Sequence, residues 1–227
     1  VTKMLELWEK LKRGEQGFIV CIGDSITEQN YHANGKLNYV GQLNEMLLNV
    51  FGRQQLLLNA GVSDDTTWGV LNRLNRDVLR FQPDLITLMI GMNDSMRGIE
   101  QLPEFKNNLL AIIAQARAVG SELILLTPNT INLRISENAI RDSYPHYIHA
   151  IREIATSEQI PLCDVYEAFE ERIHKDPNSK WTLMNDCIHP NEYGHDFIAQ
   201  ALFRFFGFID SRNANTATDV KESKNGK

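Results

Sequence analysis

A serine hydroxyl is a poor nucleophile until a neighbouring base takes its proton in the transition state. The sequence offers one set of residues able to do this. Ser25 stands in Gly23-Asp24-Ser25-Ile26-Thr27, directly after an apolar run, and far along the chain comes Asp186-Cys187-Ile188-His189-Pro190. Of the histidines (His32, His146, His149, His174, His189 and His195), only His189 follows a carboxylate by three residues in a loop segment. Asp186 can then hold the Nδ1 hydrogen and present Nε2 to Ser25, the arrangement that defines a Ser-His-Asp triad by geometry rather than by chain order. The order Ser, Asp, His is that of the α/β-hydrolases, but their GxSxG elbow is missing. Gly61-Val62-Ser63-Asp64-Asp65 comes nearest and fails at its last position, which favours Ser25 over Ser63.

These residues need a scaffold that brings them together. Short apolar runs at Phe18–Ile22, Leu56–Leu58, Leu85–Ile90 and Leu123–Leu126, with a weaker one near Ile160–Val165, read as strands buried on both faces. Helical spacing separates them. Met4, Leu7, Trp8 and Leu11 mark a first helix closed by Gly14; Val40, Leu43, Leu47 and Val50 a second; Leu71, Leu74, Val78 and Phe81 a third. The next has Pro103 in its first turn and Gly120 as its stop; another follows around Tyr147–Ile154, interrupted by Pro145. A last helix is expected from Pro190 to Gly207. The alternation predicts a three-layer α/β/α fold, a flavodoxin-like five-stranded parallel sheet of order 2-1-3-4-5 with helices on both faces. Residues 1–209 form one domain in this reading, and the polar segment 210–227 a disordered tail.

In an open parallel sheet the working residues lie beyond the C-terminal ends of the strands. Those positions hold the Ser25 segment, Asn59 to Thr67, Gly91-Met92-Asn93-Asp94 and the Asp186–Pro190 segment. With strand one between strands two and three, at a spacing of about 4.8 Å, the loops bearing Ser25, Gly61 and Asn93 emerge side by side. The backbone N–H groups of Ser25 and Gly61 and the Asn93 amide then form an oxyanion hole, each donor typically worth about 3 kcal/mol.

The four segments, in order from Phe18 to about Ala199, resemble the GDSL-type or SGNH hydrolases, esterases and lipases named for blocks carrying Ser, Gly, Asn and His. GDSIT and DxxHP are fairly specific, with GxND between them. The resemblance implies the same roles: Ser25, Asp186 and His189 catalytic, and Ser25, Gly61 and Asn93 at the oxyanion. One position departs, since Asp64 stands where the family often has glycine after the block-two serine. The expected activity is hydrolysis of carboxylic esters, with short acyl groups such as acetyl favoured because the connections are short and leave an open site. Thioesters, lysophospholipids and a homodimer stay open on family grounds.

Composition limits the alternatives. The chain of 227 residues has 43% hydrophobic and 23% charged residues and a net charge of −6, so it is a globular chain with no general attraction to nucleic acid or anionic membranes. Its longest apolar stretch, Leu109 to Ala114, is far shorter than the roughly 18 residues of a membrane span. Cys21, Cys163 and Cys187 form no CxxC, which favours a reducing compartment and a cytoplasmic location. The triad chemistry needs no metal or cofactor. Two rivals explain part of the pattern: a flavodoxin-like module cradling a flavin or nucleotide phosphate at Ser25 and Thr27, and an acyltransferase using the same triad.

Read singly, these residues have plainer explanations. Ser25 would be a turn or helix cap, Gly61 a position of positive φ, and Asn93 and Asp94 turn formers. Their conjunction at successive strand ends reverses those odds. For other groups the plain reading prevails. His146 and His149 lack a third ligand for zinc, His195 packs or caps, and Arg73, Arg76 and Arg80 make a solvated basic face. Trp68, Trp181 and Tyr31 read first as rim or core residues and second as surfaces for stacking on a sugar or acyl group, and Asn129 to Ser143 walls one side of the site. Cys187 is as readily a thiol sensitive to reagents as an ordinary loop side chain.

Overall fold

A computed structural model describes residues 6–28, 31–132 and 140–209. Met4, part of the Asn129–Ser143 wall and the 210–227 tail lie outside them. In chain order the elements are α1 (Glu6–Lys12), β1 (Gly17–Gly23), α2 (Ser25–Glu28), α3 (Tyr39–Phe51), β2 (Gln55–Gly61), α4 (Thr67–Asp77), β3 (Leu85–Met89) and α5 (Met92–Ser95). Then come α6 (Leu102–Ala118), β4 (Glu122–Leu126), α7 (Ile140–Ser157), β5 (Leu162–Cys163), α8 (Val165–Lys175), α9 (Ser179–Thr182) and α10 (Glu192–Phe206).

The sheet is five-stranded, with order β2-β1-β3-β4-β5 and every pairing parallel. Side chains alternate across a strand, so β1 feeds two cores. Ile19 and Cys21 join Leu7, Leu43, Phe169, Ile198 and Leu202 on one face; Val20 and Ile22 join Val70, Leu74, Ile112 and Ile151 on the other. Burial on both faces explains why β1 is apolar between its terminal glycines and β3 is apolar but for the buried Thr87.

Register positions the chemistry. Gly23, the last residue of β1, pairs with Gly61 of β2 and Met89 of β3. The segments that follow these strands therefore leave the sheet at one level.

Besides the four-residue helices α2, α5 and α9, four elements differ from the sequence expectation. β2 extends to Gly61 and is an edge strand with Leu56 62% exposed, since it pairs with β1 alone; only its Leu56–Leu58 portion is apolar enough to read. α7 runs straight through Pro145, because Tyr144, Tyr147, Ile148 and Ile151 are buried and Tyr144 donates to the Asn129 carbonyl. α10 starts at Glu192 rather than Pro190, with the Asn191 side chain accepting from the Tyr193 and Gly194 amides. α8 was not foreseen: Val165 and Phe169 are its only buried residues, too sparse a stripe to register, although Asp164 caps it by accepting from Glu167 N–H.

Candidate active site

β1 ends at Gly23, Asp24 turns the chain, and Ser25 opens α2. Asp24 is buried; its Oδ1 accepts from Ile26 N–H at 3.0 Å and its carbonyl from the Thr27 and Glu28 amides. Burial pushes the Asp24 carboxyl up to about 7, and the nearby Asp94 and Asp65 carboxylates add to the effect. At the other end of this short helix, the Asn38 and Asn59 side-chain amides donate to the Thr27 carbonyl at 2.9 and 2.6 Å. Ser25 is thus held at both ends of a four-residue helix.

The Asp186–His189 loop is fastened from β4's exit segment. Asn132 N–H donates to the Cys187 carbonyl at 2.7 Å, and the Asn129 amide donates to the Ile188 carbonyl at 2.9 Å. Met184 and Pro190 close the loop's base as an isolated antiparallel bridge. Within it, Asp186 Oδ1 accepts from the Ile188 and His189 amides at 2.9 and 2.8 Å. The second oxygen, Oδ2, lies 2.8 Å from His189 Nδ1, and His189 Nε2 lies 2.9 Å from Ser25 Oγ.

A carboxylate can only accept, so Nδ1 carries the hydrogen and Nε2 is left to accept from the serine hydroxyl. Partial burial pushes the Asp186 carboxyl up, but the His189 and Ile188 amides and the His189 ring outweigh it and hold the carboxyl below its usual range. Asp186 is therefore ionised opposite His189 Nδ1.

A single family model spans residues 21–197, the GDSL-like Lipase/Acylhydrolase family. The chain belongs to this family. It is a GDSL carboxylic ester hydrolase, an esterase or acylhydrolase built on the sheet order described above. The acetylxylan esterase of Geobacillus stearothermophilus is 27% identical over 218 residues, covering 88% of this chain and 97% of that protein. Thioesterase 1/protease 1/lysophospholipase L1 of Escherichia coli K12 is 25% identical over 181 residues, covering 80% and 79%. Among solved structures, Axe2, an acetylxylan esterase from G. stearothermophilus, superposes with a TM-score of 0.72 at 25% identity, over 86% of this chain and 96% of its own. LAE5, an α/β hydrolase enzyme from the metagenome of Lake Arreo, gives 0.71 at 30% identity, over 87% and 98%. Catalytic mutants of Axe2 replace a serine, an aspartate and a histidine, the last two spaced as Asp186 and His189 are.

The rest of this GDSL site departs from the sequence expectation at several residues. Gly61 donates its N–H to the Asn59 side-chain oxygen at 2.9 Å. Its need for glycine is steric rather than conformational, since a Cβ there would lie 2.2 Å from the Glu28 nitrogen of α2. Asn93 donates one amide hydrogen to the Asp65 carbonyl at 2.9 Å and keeps a second. The Ser25 N–H opens α2, where first-turn amides have no partner within the helix. Asp64, the departure from the family pattern, has φ +63°, the left-handed region that glycine favours.

Arg73 is no part of a solvated face. Its guanidinium is buried, bonded to Asp65 and Asp77 and to the main-chain oxygens of Ala60 and Gly23. Asp94 is more than a turn former: both its oxygens accept from Thr67 N–H and one from the Thr67 hydroxyl. Arg76, paired with Asp77, is mostly exposed, and Arg80 lies over the Phe81 ring. The phosphate-cradle reading fails at Thr27, whose buried hydroxyl is bonded to Tyr39 OH at 2.8 Å.

Burial first, then Asp186, pushes the Cys187 thiol up, away from the reactive thiolate. His149 pairs with Glu153 at the surface and His195 is packed in the core, its charging suppressed to about 4 by burial. Among the described residues, His32, Asp186 and His189 are the set whose ligand atoms cluster, within 4.8 Å. The two rings are stacked at 9°, so their in-plane lone pairs lie in nearly parallel planes and do not converge on one ion.

Proposed function

We propose that this chain removes short acyl groups, acetyl above all, from hydroxylated substrates such as carbohydrates, through an acyl-enzyme on Ser25. Ser25 Oγ attacks the ester carbonyl as its proton passes to His189 Nε2, with Asp186 holding Nδ1–H against the new imidazolium charge. The oxyanion takes hydrogen bonds from Ser25 N–H and the free hydrogen of the Asn93 amide. Collapse expels the alkoxide, which leaves as alcohol with the proton from Nε2. Water, deprotonated by His189, then attacks the acyl-enzyme, and the released Ser25 oxygen recovers the proton.

One observation carries the reading: the unbroken relay from Ser25 Oγ through His189 to Asp186, at 2.9 and 2.8 Å. The preference for acetyl draws support from the acetylxylan esterase relative, which aligns over 97% of its length. It draws further support from exposed aromatic rings such as Tyr31, 81% exposed beside the site, which suit stacking on a sugar ring better than gripping a long alkyl chain. The test is kcat/KM for acetyl, butyryl and octanoyl esters of one aryl alcohol. The reading expects acetyl to be fastest; a steep rise toward octanoyl would overturn it.

A further inference from the structure

His32 is the group nearest the relay that no step above uses. It sits in the 3-10 turn Tyr31–Ala33 that leads from α2 to α3. Its ring lies flat on the His189 ring, with centroids 3.8 Å apart and planes 9° from parallel. The Asn185 side-chain amide is 3.0 Å from His32 Nδ1, and an amide nitrogen can only donate, so that ring nitrogen is bare. The backbone N–H of Asn185 donates to the His189 carbonyl at 2.8 Å, so one residue holds the His32 ring and the His189 main chain. Tyr31 closes the outer side, edge-on to His32 at 4.9 Å. Burial, reinforced by His189, lowers the pKa of His32 despite the opposing pull of Asp186.

A hydrogen bond at Nδ1 anchors one atom of the His189 ring but leaves rotation about its Cβ–Cγ bond open. A flat ring against one face blocks that rotation on its side. A neutral aromatic face also attracts a cation, and His189 becomes one in the transition state. We propose that His32 is a positioning residue for ester hydrolysis: its stacked ring confines the His189 imidazole to the plane joining Asp186 and Ser25 and steadies it when charged. The inference rests on the hydrolytic reading of Ser25 and His189.

The experiment measures kcat and KM on an aryl acetate for wild type, His32→Ala, His32→Gln, His32→Phe and Ser25→Ala, with rates referred to sites titrated by an organophosphate. A merely structural role would reduce the number of titratable sites and leave turnover per site unchanged. Loss of the stack should lower kcat about three- to tenfold in the Ala and Gln variants, the rate equivalent of an aromatic pair, with KM held within about twofold. His32→Phe, which keeps a ring but not the bond to Asn185, should retain most of the wild-type kcat. Wild-type kcat in His32→Ala, or His32→Phe as slow as His32→Ala, would overturn the inference alone. An inactive wild type, or a fully active Ser25→Ala, would bring down the hydrolytic reading and the inference together.

Discussion

Arg73 and Asp65 form a buried ion pair, Nε to Oδ2 at 2.6 Å, with both side chains 9% exposed. The same guanidinium donates to the carbonyl of Ala60 at 2.7 Å and of Gly23 at 3.1 Å, near the ends of β2 and β1. Asp65 in turn accepts the Asn93 amide on its own carbonyl. The Arg73 side chain therefore ties together the strand ends that carry the first two sequence blocks, and Asn93 joins the third to them through Asp65.

Removing it should be costly. Arg73→Met leaves Asp65 buried without its cation, and breaking such a pair costs about 3–5 kcal/mol. Arg73→Lys should recover only part, since a single ammonium cannot span two carboxylates and two carbonyls. Urea unfolding of the three proteins checks this, and a loss below about 1 kcal/mol in Arg73→Met would contradict the assignment.

Asp24 makes a prediction about pH. Burial raises its carboxyl to about 7 in the folded chain, against 3.8 for an unperturbed group. The folded state therefore keeps a proton that the unfolded chain releases, and stability is full below pH 3.8 and declines as pH rises through 7. Asp24→Asn keeps an acceptor for Ile26 N–H and cannot ionise. It should match wild type near pH 4 and exceed it by up to about 4 kcal/mol at pH 8. Parallel stability curves for the two proteins would refute the effect.

Much of this was legible in the sequence, for a reason that particular residues make plain. Strands β1 and β3 are buried on both faces, so their sequences are apolar but for Thr87 and their ends, hence Ser25 and Asn93, are easily located. Edge strand β2 carries no such signal beyond three leucines, so Gly61 reads as a loop residue, whereas it ends the strand with its N–H on the Asn59 side chain. The roles of Arg73 and His32 were hidden because partners 8 and 157 positions away decide them. For Arg73 a trace existed: Asp77 stands one helical turn on, and Asp65 just before the helix.

Asp64 tests the loop itself. Its φ of +63° is tolerated by aspartate but disfavours a β-branched side chain. Asp64→Val should cost about 1–2 kcal/mol in thermal or urea unfolding, while Asp64→Gly should be neutral or slightly stabilising. Equal stability of the Val and Gly variants would show that the left-handed conformation is not maintained.

Asp186 is argued to set the tautomer of His189. Asp186→Asn can donate to Nδ1 and so favour the wrong hydrogen placement, which in a triad lowers kcat by about ten-thousandfold with little change in KM. Steady-state kinetics of this variant at neutral pH checks the point, and a loss under about tenfold would leave the carboxylate without its assigned role.

The central claim is that the Ser25 hydroxyl carries the acyl group. The direct measurement is aryl acetate hydrolysis by wild type and Ser25→Ala, with the protein quenched during turnover and its intact mass and peptides analysed. The account predicts an added acetyl group on the Ser25 peptide in wild type and a fall of at least about a thousandfold in kcat in Ser25→Ala. Full turnover by Ser25→Ala, or an acetyl adduct on a different residue, would contradict it.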